Sequence, residues 1–361
     1  MTGYRGMIMG DFRRTSRWLP VTAALAMLGA LPAQAAPKPL FASDGILKLR
    51  IEAPFGDLIR TAPKSTAPFD AKITLTEPAA ETLAIQLSAR GISRRNPENC
   101  DFPPLKIEFK EKPGGASLFK GQKSLKLVTH CRSDFNYQDY NLLEYAAYKI
   151  LNILTPLSFR VRLAEIDYVN TGSSSVRIHR HGFLVEDSSE MAERNRLKEV
   201  KADKVTPGQL SASATAKSDL MQYLLGNLDW SDLAAVPGTN CCHNVKMLGA
   251  APDSRSDLVP VAYDFDSSGF VNAPYANPPV GVPIKNVRIR YYRGLCQFNA
   301  QATEAAHEFL QNRAAVLASV SNTPALSESR KKLTIEYLET FFNEISDPAK
   351  MQHQLLDHCR G

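Results

Sequence analysis

The sequence predicts an α+β protein: a β-rich half that carries one helix, then a mainly helical half, with a cleft between them. Three observations lead there. Short segments over residues 71–128 alternate polar and apolar side chains with period two. At Leu142 the apolar spacing changes to that of a helix. Beyond residue 215 helical spacing dominates, interrupted by one long stretch rich in Pro, Gly and Asn. The 361 residues, 44% apolar and 22% charged, are enough for a sizeable core and exclude a disordered or fibrous chain.

The first 35 residues carry an address. Arg13, Arg14 and Arg17 form a basic start, residues 18–31 form an apolar run too short to span a bilayer, and Ala33-Gln34-Ala35 is a small-x-small cleavage pattern. Residues 1–35 therefore read as a signal peptide, the mature chain being periplasmic or secreted and without a transmembrane segment. That stretch holds about half of the formal +6, so the remainder lacks the concentrated basic face that nucleic-acid binding requires. Six cysteines, Cys100, Cys131, Cys241, Cys242, Cys296 and Cys359, fit an exported chain with disulfides. No Cys-x-x-Cys pair offers zinc spacing, and Cys100 and Cys131 are expected to close the β-rich segment that they flank.

Residues 36–186 make up the β-rich part. A Pro-containing entry holds one alternating piece at 46–51, followed by strands at 72–76, 83–87, 105–109 and 125–128. Lys112-Pro113-Gly114-Gly115 reads as a hairpin turn. The helix at 140–154 presents Leu142, Leu143, Ala146, Ala147, Ile150 and Leu151 on one side, with Asp139 suited to its N-cap and Pro156 to its end. Strands at 159–168 and 182–186 complete this part. In residues 187–361, a polar segment to 213 leads into helices at 215–228, 302–320 and 332–345, with the irregular region 229–298 between the first two.

The chemistry concentrates in loops 226–269, since loops on a rigid scaffold often carry function. Asp229, Asn244, Asp264 and Asp266 are oxygen-bearing side chains in otherwise apolar surroundings, costly to bury unless paired or metal-bound. Hard oxygen ligands suit Mg²⁺ or Ca²⁺, although Asp and Asn also cap helices and build turns. The order of parts favours the metal. A strand lysine, Lys126, precedes a helix glutamate, Glu144; an Asp, an Asn and an Asp-Phe-Asp follow. Protein-kinase-type phosphoryl transfer uses such parts in this order.

These segments resemble the CotH-type secreted and spore-coat kinase-like proteins. Leu87-Ser88-Ala89-Arg90-Gly91 resembles their Arg-Gly strand motif, and Lys123-Ser124-Leu125-Lys126-Leu127 their Lys-rich strand. Leu225-Gly226-Asn227-Leu228-Asp229 resembles the catalytic-Asp segment, His243-Asn244 the step to the metal-binding Asn, and Tyr263-Asp264-Phe265-Asp266 the Trp-Asp-x-Asp motif. The resemblance covers about half of the chain, residues 87–269. Tyr263 stands for the usual Trp, residues 229–244 are lengthened, and no Gly-x-Gly-x-x-Gly loop is present.

The resemblance implies a bilobal, protein-kinase-like fold with a β-rich N-lobe carrying one helix and a mainly helical C-lobe. It implies Mg²⁺- or Mn²⁺-dependent phosphoryl transfer from a nucleotide such as ATP to a protein hydroxyl. Lys126 would grip the phosphates and pair with Glu144, and Asp229 would be the base. Asn244, Asp264 and Asp266 would hold metal, and Glu186, where a hinge would run, would join Lys126 in cofactor binding. The alternative is a catalytically silent envelope binding or assembly protein. Two further features are weighed: His179 with His181 on one strand face as a metal pair, and Arg288, Arg290 and Arg293 as an anion-binding strip.

Overall fold

Alternation in the first half of the chain builds a closed barrel. The computed structural model describes residues 38–77, 80–172, 177–235 and 241–361, and the signal peptide expected at 1–35 lies outside the described residues. Strand β1 (Leu47–Ala53) buries Leu47, Leu49, Ile51 and Ala53 on one face and runs into a short helix, α1 (Phe55–Thr61). Next come β2 (Phe69–Glu77), β3 (Glu81–Ala89), β4 (Leu105–Phe109) and β5 (Ser124–Val128), each antiparallel to the one before. The long helix α2 (Gln138–Leu154) leads to β6 (Val161–Asn170) and β7 (Arg177–Val185). β5 pairs with β7, β7 with β6, and β6 runs parallel to β1, so seven strands close in the order β1-β2-β3-β4-β5-β7-β6.

This closure overturns the expected bilobal, kinase-like arrangement. The alternating piece read as part of an entry segment is the closing strand: β1 pairs with β2 on one side and with β6 on the other. Closure removes both free edges of the sheet and satisfies their backbone groups. Ile51, Ile73, Ile85, Leu105, Leu127, Ala164 and Leu184 fill the interior.

In the second half, α3 (Ser188–Arg194) and β8 (Lys198–Glu199) precede α4 (Ala212–Leu225). β8 joins β9 (Val245–Gly249) and β10 (Val259–Ala262) in a small sheet, and these last two lie inside what the sequence suggested was irregular chain. The expected helix at 302–320 is two, α5 (Asn299–Gln311) and α6 (Arg313–Ser321). Asn312 divides them, its side-chain amide donating to the Glu308 carbonyl in competition with the helix. α7 (Glu328–Ile345) and α8 (Pro348–Gln354) end the chain. Asp139 is not the N-cap of α2; it lies in the first turn and accepts from the Ser327 hydroxyl at 2.7 Å. The buried face of α2 belongs to one apolar core shared with β6, β7 and helices α4–α8.

All six cysteines are paired, as Cys100–Cys131, Cys241–Cys242 and Cys296–Cys359. Three disulfides fit an extracellular or other oxidising compartment. Among the described residues no helix is long and apolar enough to cross a membrane.

Candidate functional site

Asp229 follows the end of α4, where the chain must reverse. Gly226 closes that helix with φ 59°, and a Cβ there would lie 2.1 Å from the Tyr337 hydroxyl, so only glycine fits. Its carbonyl accepts from the Gly269 N–H at 3.0 Å, joining this turn to the segment after Asp266. Arg293 then holds both sides of Asp229, donating to the carbonyls of Leu228 at 2.6 Å and Trp230 at 3.1 Å.

Across a two-stranded bridge between Ser231 and His243, the Asp229 carboxylate meets its partners. His243 Nε2 lies 2.7 Å from Oδ1, and the Asn244 amide donates to Oδ2 at 3.1 Å and to the Asp229 carbonyl at 2.7 Å. That hydrogen bond raises the His243 pKa above its ordinary value, against the opposing effect of burial. The Asp229 side chain remains 45% exposed, oriented yet open to solvent.

Asn244 precedes β9 and Asp264 follows β10 by two residues, so the antiparallel pair brings them together; the Tyr263 N–H donates to the Asn244 carbonyl at 3.0 Å. Both have left-handed backbones, φ 51° and 66°. Non-glycine residues held in this region concentrate at functional sites. The Asp264 N–H donates to the Tyr148 hydroxyl at 3.0 Å, fixing the turn to α2.

Glu144 lies one helical turn before Tyr148 and is fully buried, which with the nearby Asp266 carboxylate pushes its pKa well up. The expected ion pair with Lys126 is not formed. Glu144 lies 3.5 Å from the Arg94 guanidinium, which also approaches Asp266 at 3.9 Å and donates to the Thr129 carbonyl at 2.6 Å. Arg94 reaches inward from a turn after β3 that the Cys100–Cys131 disulfide ties to the start of the β5–α2 connection. Sequence reasoning missed Arg94, because nothing in a Ser-Arg-Arg stretch marks one arginine as buried. Asp266 is also occupied by the hydroxyls of Tyr275 at 3.1 Å and Ser267 at 3.3 Å, and burial followed by the Asp264 charge lifts its pKa to about 6.

A cavity of about 460 Å³ opens between these groups, lined by Asp229, Asn244, Asp264, Arg90 and Lys246. Lys126 lines a separate space of about 10 Å³ that shares Arg90, Glu144, Tyr263 and Asp264 with the cavity. Among the described residues, Arg90, Lys126 and Lys246 form no salt bridge and donate no side-chain hydrogen bond. Burial, then repulsion from Arg90 and Lys246, brings the Lys126 pKa down to about 8. The open cavity thus carries the free cations Arg90 and Lys246 beside the carboxylates of Asp229 and Asp264, and Lys126 lies in the small pocket next to it.

The metal assignment is narrower than the sequence suggests. Among the described residues, no three His, Cys, Asp or Glu side chains are grouped to hold a metal. Asp266 is engaged as described, which leaves the Asp264 carboxylate and the Asn244 side-chain oxygen without a hydrogen-bond partner among the described residues. Both residues line the cavity.

Three other expectations resolve differently. Glu186 is buried against Arg194 at 2.9 Å and accepts from the Arg160 N–H, so it faces no ligand. His179 is held by Asp167 and Glu165, each at 2.8 Å. Arg288 and Arg290 donate to the carbonyls of Gly269 and Leu224, as Arg293 does near Asp229, so the strip clamps the site's loops. No protein-family model matches this chain, and no curated protein matches it.

Proposed function

We propose that the protein is an exported phosphotransferase that moves a phosphoryl group to a protein hydroxyl with the help of Mg²⁺ or Mn²⁺. The observation that carries this reading is the juxtaposition in one cavity of the unpaired cations Arg90 and Lys246, a free Asp264 carboxylate and an oriented, solvent-open Asp229, with Lys126 in the small space beside it. The motif resemblance to CotH-type proteins supports it independently of fold, and the three disulfides support the compartment.

Each side chain has a task that its surroundings allow. Arg90, Lys126 and Lys246 would neutralise phosphate oxygens, a charge-stabilising role worth more in a partly dry cavity than in water. Asp264 and Asn244 would hold the cation, which when bound supplies charge for the transferring group. Asp229, positioned by His243 and Asn244, would align the acceptor hydroxyl and take its proton. Arg94 neutralises the Glu144 and Asp266 carboxylates, which would otherwise repel each other beneath the site.

Calorimetry on the mature chain should show Mg²⁺ or Mn²⁺ raising the melting temperature, an effect absent in Asp264→Ala. Asp229→Asn should keep that rise and lower transfer by about 10²-fold or more. An unchanged metal effect in Asp264→Ala, or none in the unaltered chain, would leave the binding-protein alternative in its place.

A further inference from the structure

The region behind Lys126 limits what can bring the phosphate. β5 and β7 place Lys126 opposite Val185, so these two share the wall where a nucleotide was expected to bind, while Glu186 turns to the other face. That wall is filled. The rings of Phe159 and Tyr263 meet edge to face at 5.9 Å, and the Lys126 ammonium lies 5.9 Å from the first ring centre and 5.2 Å from the second. The space left beside them is about 10 Å³, roughly enough for one water molecule. Phe159 is fully buried, Tyr148 closes another side through its bond to Asp264, and Glu186 is locked by Arg194.

The open part of the cavity offers a base no platform either. Its aromatic linings are Tyr263 and His243. The ammonium groups of Lys126 and Lys246 both lie over the Tyr263 ring, and His243 is tied to Asp229. What the cavity does offer is charge: Arg90 and Lys246 without partners and Lys201 among its lining, with Lys126 in the small pocket beside it.

We infer that the phosphate donor of this site is a chain of phosphates without a nucleobase, an inorganic polyphosphate. The inference rests on the phosphotransfer reading above and specifies its donor. The terminal phosphorus would form a bond to the acceptor hydroxyl oxygen while its bond to the bridging oxygen breaks. The shortened chain leaves with that electron pair, and the hydroxyl proton passes to Asp229 and on to solvent. No oxidant, reductant or further reactant is required. Such a donor also matches an oxidising compartment outside the cell's nucleotide supply.

Titration calorimetry of the mature chain with tripolyphosphate and with ATP, each with Mg²⁺, tests this. Tripolyphosphate should bind within about threefold of ATP, and adenosine should produce no heat. Tyr263→Ala, which uncovers the wall, should leave tripolyphosphate affinity within threefold while raising that for ATP; the partly exposed position of Tyr263 makes folding of this variant checkable by its melting curve. ATP binding more than tenfold tighter than tripolyphosphate in the unaltered chain would overturn the donor assignment and leave phosphotransfer standing. Binding of neither would overturn both.

Discussion

Lys126 shows how one side chain can oppose stability and serve binding. Its ammonium is buried, with Arg90 and Lys246 nearby, and its pKa of about 8 lies below the ordinary lysine value of 10.5. Between these two values the unfolded chain binds more protons than the folded one, so stability rises with pH across about 8 to 10.5. Lys126→Met should therefore stabilise the ligand-free chain by about 1–2 kcal/mol at pH 7, with the gain fading by pH 10 in urea titrations. The same substitution should abolish tripolyphosphate binding, and in the unaltered chain that affinity should fall as pH rises through about 8. His130 acts in acid. Burial against Phe102 and Tyr168, then Arg180 and Arg94, brings it down to about 3. The unfolded chain gains that proton near pH 6.5, so stability drops between pH 6.5 and 3, by about 1.4 kcal/mol per pH unit within that window. His130→Phe should flatten that limb in acid unfolding curves.

At the scale of elements, the turn after β3 is held by the Cys100–Cys131 bond and by Arg94 at its inner end. Replacing both cysteines by serine should cost about 2–5 kcal/mol in denaturant unfolding. It should also weaken phosphate binding, because the turn that carries Arg90 and Arg94 would lose its tether; unchanged affinity would separate the disulfide from the site. Much of this level was legible in the sequence. Alternation located β2 to β5, helical spacing located α2, α4 and α7, and the cysteines flanking a β-rich segment pointed to their bond. The strands β9 and β10 were not legible. Their residues are buried almost without alternation and one contains Pro260, so no period of two emerges from the surrounding loops.

Over the whole molecule, the described residues form one compact unit, and α2 lies in a core shared by β6, β7 and the later helices. Thermal unfolding followed by tyrosine fluorescence and by far-ultraviolet dichroism should thus coincide in one transition, and two separated transitions would mean that barrel and helices unfold independently. The sequence by itself determined which residues turn inward, where the long helices run, that the cysteines pair, and that Asp229, Asn244 and Asp264 are oxygen-bearing side chains in otherwise apolar surroundings. Those are local properties, set by side-chain period, by turn residues and by the cost of burying unpaired oxygen. Only the tertiary structure decided that β1 closes a barrel between β2 and β6, that Arg94 takes Glu144 from Lys126, and that Phe159 and Tyr263 fill the wall behind Lys126. Each depends on which distant segments become neighbours, and the period of a strand or the charge of a side chain is the same whatever lies beside it.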